Sequence, residues 1–347
     1  MPQAITIGGQ EIAAGSRVML ELPLPHLYTH TPMTMPVQVV RGRKDGPSLF
    51  VSAAIHGDEL NGIEIIRRLL KYGGLRRLKG TLITIPIVNV YGVIHHSRYL
   101  PDRRDLNRAF PGSERGSMTG RLADIFMREI VGNATHGIDL HTGAINRVNL
   151  PQIRANLDDR ETARLAHAFG VPVVMNANLR DGSLRQAADE LGIPMLLYEA
   201  GEALRFDELS IRAGLKGIIN VMRELGMLPS SRRRGTPRPE PFFARSSTWV
   251  RAPSSGIFRT LCALGNWVKK GEVMGMISDP LGDSDVEVRA GCSGILVGRT
   301  NIPLVHEGEA LFHIARYEDE QGMAERVESF QEEGLEFSGS DLEPPIV

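Results

Sequence analysis

The spacing of apolar residues changes several times along the chain. Before residue 48 they come in short extended pieces broken by Gly and Pro. Leu49–Ile55 is then an unbroken apolar run, as expected of a strand buried on both faces. Leu60–Lys71 carries apolar residues at helical spacing (Leu60, Ile63, Ile66, Leu69, Leu70), and Gly73-Gly74 stops it. Thr81–Val88 reads as a second buried strand, and residues 89–118 as a long polar connection. Beyond it the pattern predicts a helix over Thr119–Val131, a strand over Gly137–Leu140 and a helix over Asp158–Gly170. A strand over Val171–Met175, a Ser-capped helix over Ser183–Leu191, a strand over Pro194–Tyr198 and a helix over Glu208–Leu225 complete the series. Buried strands alternating with helices predict an α/β domain with a largely parallel sheet flanked by helices.

The helical period is lost after residue 228. Pro229–Pro241 (PSSRRRGTPRPEP) has linker composition. Its Arg232, Arg233 and Arg234 could form a nucleic-acid patch, but a solvated linker is the expected reading. Residues 246–316 show short alternating runs separated by Gly, Pro and Asn, which predicts a small all-β domain. Residues 317–347 hold ten carboxylates against the single Arg326 and read as a loosely attached acidic tail. The expected organisation is an extended segment (1–47), an α/β domain (48–228), a linker (229–245), a β domain (246–316) and the tail.

Composition narrows the classes. In 347 residues, 40 Lys+Arg against 41 Asp+Glu leave a net charge of −1, so nothing global points to nucleic acid or an anionic membrane. No run approaches the roughly 18–20 apolar residues that span a bilayer, and the N-terminus lacks the basic start and apolar core of a signal peptide. The two cysteines, Cys262 and Cys292, exclude a disulfide framework and a cysteine-rich zinc module. A soluble cytoplasmic protein is expected, with self-association left open.

Polar residues gather where strands end. The first strand runs into Ile55-His56-Gly57-Asp58-Glu59. Residues just past the C-terminal end of a parallel strand lie where α/β folds build their sites. His56 and Glu59, three apart, form a half-site for Zn²⁺, although Asp and Glu there would also suit a helix's first turn. A second strand ends in Asp139-Leu140-His141-Thr142-Gly143, so His141 is a candidate third ligand. Two His and one Glu leave a fourth tetrahedral position for water, as in catalytic zinc sites. The strand ending at Tyr198 is followed by Glu199-Ala200-Gly201, and Glu199 is either a general base facing that water or an exposed loop acid. Between them, residues 97–112 carry four arginines, which could grip a carboxylate or an oxyanion, or form a solvated loop.

Taken together, His56-Gly-Asp-Glu59, Asp105-Leu-Asn-Arg108, Asp139-Leu-His141-Thr-Gly and Glu199-Ala-Gly resemble the succinylglutamate desuccinylase/aspartoacylase family in order and content over residues 48–225. The resemblance implies a zinc-carboxypeptidase-like fold and one Zn²⁺ per chain, held by His56, Glu59 and His141, with Glu199 as base. It implies that Asp105 orients His56, that Asn107 and Arg108 hold a substrate carboxylate, and that Arg185 helps. The oxyanion arginine is matched by Arg98 in Arg98-Tyr99, with Arg104 as its rival. Arg108 could instead brace the loop by pairing with an acid such as Asp105. The implied activity is removal of an acyl group from an N-acyl amino acid or related small amide. A carboxypeptidase acting on a peptide or isopeptide C-terminus would use the same groups, and a zinc-bearing binding protein would lack turnover. The C-terminal segments Ala252–Ile257, Gly265–Glu272 and Ala290–Ile295 resemble a biotinyl/lipoyl barrel-sandwich domain. The stretch where a carrier lysine would stand, Ser278–Val288, has none, so a wall for the site or an interface is expected there.

Overall fold

The computed structural model describes residues 5–230, 241–316 and 327–332. Its centre is a mixed sheet whose main path comprises ten strands. These are β1 (Arg17–Leu24), β2 (Met33–Arg41), β3 (Lys44–Ala53), β4 (Lys79–Ile85), β5 (His136–Gly143), β6 (Arg147–Ala155), β7 (Met195–Glu202), β8 (Ser246–Arg251), β9 (Gly294–Thr300) and β10 (Ala310–Arg316). Their order is β8-β10-β9-β6-β7-β5-β3-β4-β2-β1. The four central strands, β7, β5, β3 and β4, are mutually parallel, and their neighbours on either side are antiparallel. Six helices accompany them: α1 (Asn61–Lys71), α2 (Val90–Ile94), α3 (Met118–Glu129), α4 (Arg160–Phe169), α5 (Leu184–Glu190) and α6 (Glu208–Glu224).

The helices divide between two apolar cores. On one side α1, α4 and α6 bury Ile65, Leu69, Leu165, Phe169, Ile211 and Ile218. In the other core, Leu122 and Phe126 of α3 and Leu184 and Ala188 of α5 pack with the N-terminal strands. Side-chain caps fix the starts of α3 to α6: Ser117 for α3, Asp159 for α4, Ser183 for α5 and Asp207 for α6 accept from a backbone N–H one turn on. A buried ion-pair chain joins α1 to α6, with Arg68 bonded to both Glu64 and Glu208.

Three strands depart from the sequence expectation. β1 and β2 alternate cleanly (Leu20, Leu22, Leu24; Met33, Met35, Val37, Val39 inward), but Pro23 and Pro36 interrupt the pattern. Both strands lie near the sheet's edge, where a missing N–H is tolerated. β6 contains Pro151 in the sheet's interior. There one flank of β6 pairs with β9 through Arg147–Asn149 and with the strand Val173–Asn176 through Gln152–Ala155, so Pro151 falls between the two partners.

The C-terminal strands are continuous with the central sheet through β9 and β6, and a separate four-stranded sheet packs beside them. The arginine cluster of residues 232–234 lies outside the described residues, as does the acidic tail apart from 327–332, a helical turn that buries Val327. Among the described residues no helix is long and apolar enough to cross a membrane.

Candidate metal centre and active site

The parallel register brings three strand ends together. Ser52 of β3 stands beside Asp139 of β5, and His141 of β5 beside Glu199 of β7. After β3 the chain turns sharply at Ala54, whose φ is +54°, and delivers His56 beneath the α1 entry. Gly57 has to be glycine: a Cβ there would stand 2.0 Å from the Gly92 backbone. This close approach seats α2 itself against the His56 turn.

Glu59 is the hub. Its Oε1 lies 2.8 Å from His56 Nδ1 and its Oε2 lies 2.8 Å from His141 Nδ1. The Thr142 N–H donates to Oε2 at 3.0 Å. All three side chains are buried, and their ligand atoms lie within 4.8 Å of one another. Each imidazole has a carboxylate on its other nitrogen. His56 Nε2 is 3.0 Å from Asp105 Oδ1, and His141 Nε2 is 2.7 Å from Asp139 Oδ2. Asp139 is itself held by the Ser52 hydroxyl, which donates at 2.8 Å.

That arrangement fits a divalent cation. A carboxylate on the outer nitrogen orients an imidazole with its inner nitrogen toward the metal and strengthens it as a donor. The protonation pattern agrees. Burial pushes the Glu59 carboxyl up, yet the two imidazoles hold it well below the usual carboxylate range. Burial opposes charge on His141, but Asp139 and Glu59 raise its pKa well above the ordinary value. The cluster therefore concentrates cationic charge around one carboxylate, the charge a metal ion supplies instead when protons leave.

Arg98 lines the same cavity. Its guanidinium donates to Asp105 Oδ2 at 2.9 and 3.2 Å and reaches Glu59 Oε1 at 3.4 Å. Burial raises the Asp105 carboxyl, but His56 and Arg98 outweigh it and hold it well below its usual range. Arg104, the rival from the sequence, is on an exposed loop and does not line the cavity. Asn107 is buried, and its Oδ1 accepts from the Leu184 N–H at the start of α5, tying the two substrate-side loops together. Arg108 donates to the Asn107 carbonyl, so it does not brace the loop through Asp105.

The cavity encloses about 780 Å³, and the sequence left much of its lining unmarked. Arg147, Asn149 and Arg154 come from β6 and Arg180 from the loop before α5. Trp249 and Arg251 come from β8, and Glu307 and Glu309 from the turn before β10. Arg147 sits 5.3 Å over the Trp249 ring, whose other partner is the stacked His313 imidazole at 4.5 Å. Arg185 is 8% exposed, and its guanidinium donates to the carbonyls of Ala177 and Asn178. Burial, with Arg154 nearby, pulls its pKa down to about 10. A buried guanidinium whose hydrogen-bond partners among the described residues are backbone carbonyls is a ready counter-ion for a carboxylate.

Glu199 also lines the cavity. Its Oε2 accepts from Asn149 Nδ2 at 2.9 Å and lies 2.9 Å from an Arg154 nitrogen. Glu199 is not among the three clustered ligand residues. The arrangement thus offers a cation site, a carboxylate beside it, an arginine at the ion's edge and a buried cation deeper in the cavity.

Comparison with known proteins gives the chain's relatives. A family profile described as the succinylglutamate desuccinylase/aspartoacylase catalytic domain matches residues 45–225. The chain is 28% identical over 299 residues to the N-alpha-acetyl-L-2,4-diaminobutyric acid deacetylase of Halomonas elongata, covering 83% of this chain and 87% of that one. A product-bound structure of the ectoine utilization protein EutE (DoeB) from Ruegeria pomeroyi matches with a TM-score of 0.77 and 26% identity, over 86% of this chain and 94% of that one. A succinylglutamate desuccinylase/aspartoacylase from Rhodobacter sphaeroides matches with a TM-score of 0.77 and 25% identity, over 88% and 96%.

Proposed function

From the premise that this chain belongs to the succinylglutamate desuccinylase/aspartoacylase family, we propose that it is a Zn²⁺-dependent deacylase of N-acyl amino acids. The observation that carries the reading is the buried His56–Glu59–His141 set with a carboxylate behind each imidazole. Two nitrogens and one carboxylate suit Zn²⁺ and leave a position open for catalysis. The chemistry a Zn²⁺ held there supplies is Lewis acidity, which polarises a carbonyl and makes water more acidic.

The chain's own residues account for the rest. Glu199 takes the proton from the attacking water and returns it to the leaving amine nitrogen as the acyl C–N bond breaks. Arg98 stands where negative charge on the carbonyl oxygen can be met, close to Glu59. Arg185, with Asn107 and Arg108, receives a carboxylate of the amino-acid half, and Arg185's burial makes that pairing strong. The C-terminal β strands, read as a barrel-sandwich-like unit, close one wall with Trp249 and Arg251. The similarity to the Halomonas elongata deacetylase makes Nα-acetyl-L-2,4-diaminobutyrate the first substrate to try.

The test is a panel of N-acetyl, N-succinyl and N-formyl amino acids, with short acidic peptides alongside, scored by release of free amine. Turnover of an acyl amino acid above the peptides supports the proposal. Turnover of peptides alone would make the enzyme a carboxypeptidase, and no turnover with full metal would make it a binding protein.

A further inference from the structure

Glu199 is held asymmetrically. Asn149 Nδ2 donates to Oε2 at 2.9 Å, and an Arg154 guanidinium nitrogen forms an ion pair with the same oxygen at 2.9 Å. Among the described residues no hydrogen bond falls on Oε1. A carboxylate held at one oxygen by a hydrogen bond and an ion pair cannot turn about its last bond without losing both, and the Asn149 bond to a charged acceptor is of the stronger kind. Asn149 is 9% exposed.

What lets Asn149 stand there is a glycine on another strand. Gly298 of β9 pairs with Asn149 of β6 across the junction between the α/β sheet and the C-terminal strands. A Cβ at Gly298 would lie 2.7 Å from Asn149 Oδ1 and 3.3 Å from His313 Cβ. Any larger residue would push the Asn149 amide away from its present position. His313 is itself buried and stacked on Trp249, so it has little room to yield.

We infer that Asn149 and Arg154 are positioning residues that anchor Glu199 through Oε2 and reserve Oε1 for the proton, and that Gly298 is the gap through which the C-terminal strands permit this. The inference rests on Glu199 being the base, as proposed above. In the reaction Oε1 accepts a proton from water while the water oxygen bonds to the acyl carbon. The C–N bond then breaks, and the same proton passes to the amine nitrogen. A base whose accepting oxygen is fixed needs no reorientation between the two transfers.

The test is a set of double-mutant cycles assayed on Nα-acetyl-L-2,4-diaminobutyrate, or on the panel member with the highest kcat/KM. Asn149→Ala, Arg154→Met and Gly298→Ala are each made in the wild type and in Glu199→Gln. In the wild-type background each should lower kcat roughly 10- to 100-fold, the scale of a lost hydrogen bond to a charged group. KM should stay within about threefold, and metal content should be unchanged. In the Glu199→Gln background the same changes should cost less than about threefold, because no base remains to be positioned. Arg154→Lys should recover part of the loss. Equal losses in both backgrounds would mean a structural role and overturn the inference. A raised KM with unchanged kcat in Arg154→Met would place Arg154 on the substrate and overturn its part. If Asn149→Ala fails to fold, Gly298→Ala tests the same contact with the amide intact. Glu199→Gln at full wild-type rate would instead sink the base reading itself, and that result is visible before any cycle is completed.

Discussion

Replacing Arg185 by Met separates two roles that its position permits. The guanidinium is buried, donates among the described residues to two backbone carbonyls, and lies near Arg154. Burial pulls its pKa down to about 10, which leaves it charged at neutral pH. Replacing it by an apolar side chain of similar length removes the cost of burying a charge together with the two carbonyl bonds, so Arg185→Met should change thermal stability little. Activity should respond very differently. Losing a charge-assisted contact to a substrate carboxylate in a partly desolvated pocket costs about 2–5 kcal/mol, a fall of ~30-fold or more in kcat/KM. The assay compares an acyl amino acid with its carboxamide analogue, in wild type and variant. The wild type should prefer the acid, and Arg185→Met should lose most of that preference. An equal fall on both substrates, together with a Tm lowered by several degrees, would show that Arg185 braces the 177–178 backbone and refute the reasoning.

Three further outcomes are expected. Glu199→Gln should keep its metal and lose at least ~100-fold in kcat, the scale of lost acid–base catalysis, and a steady-state assay with metal analysis checks both. Asp105→Asn removes the carboxylate behind His56 and should weaken metal binding about 10- to 100-fold in competition with a chelator; unchanged affinity would refute the role given to Asp105. Glu64→Gln breaks the buried chain from α1 to α6 and should cost about 3 kcal/mol in urea unfolding. Arg67, and then Arg68, lower the Glu64 pKa from its ordinary 4.5, so the stability it contributes is fully present above that value and lost as pH falls below it. The gap between wild type and Glu64→Gln should therefore close toward acid pH.

The parts of this protein legible in its sequence are those with a local signal. Runs such as Leu49–Ile55 and Pro194–Tyr198 mark strands buried on both faces, and the His56, Glu59 and His141 positions follow from where such strands end. Asp139 shares a face with His141 because it lies two residues earlier in the same strand, which sequence spacing alone can reveal. What stayed hidden depends on pairings between distant segments. β6 escaped because Pro151 argues against an interior strand, and only its two different partners along one flank make the residue acceptable. With β6 went Arg147, Asn149 and Arg154. Trp249 and Arg251 reach the cavity through β8, β10 and β9, and that route is a property of the sheet order, which no local pattern carries. The choice between Arg98 and Arg104 also needed coordinates, since both lie in one arginine-rich loop and only Arg98 meets Asp105 and Glu59.

The most direct test of the central claim is release of free amine from an N-acyl amino acid, measured before and after the metal is stripped with a chelator and then restored with Zn²⁺. The account predicts turnover by the purified protein, its loss on stripping, and its recovery at about one equivalent of Zn²⁺ per chain. It also predicts that His141→Ala neither retains the ion nor recovers. Undiminished turnover by the stripped protein, or full zinc occupancy in His141→Ala, would contradict it.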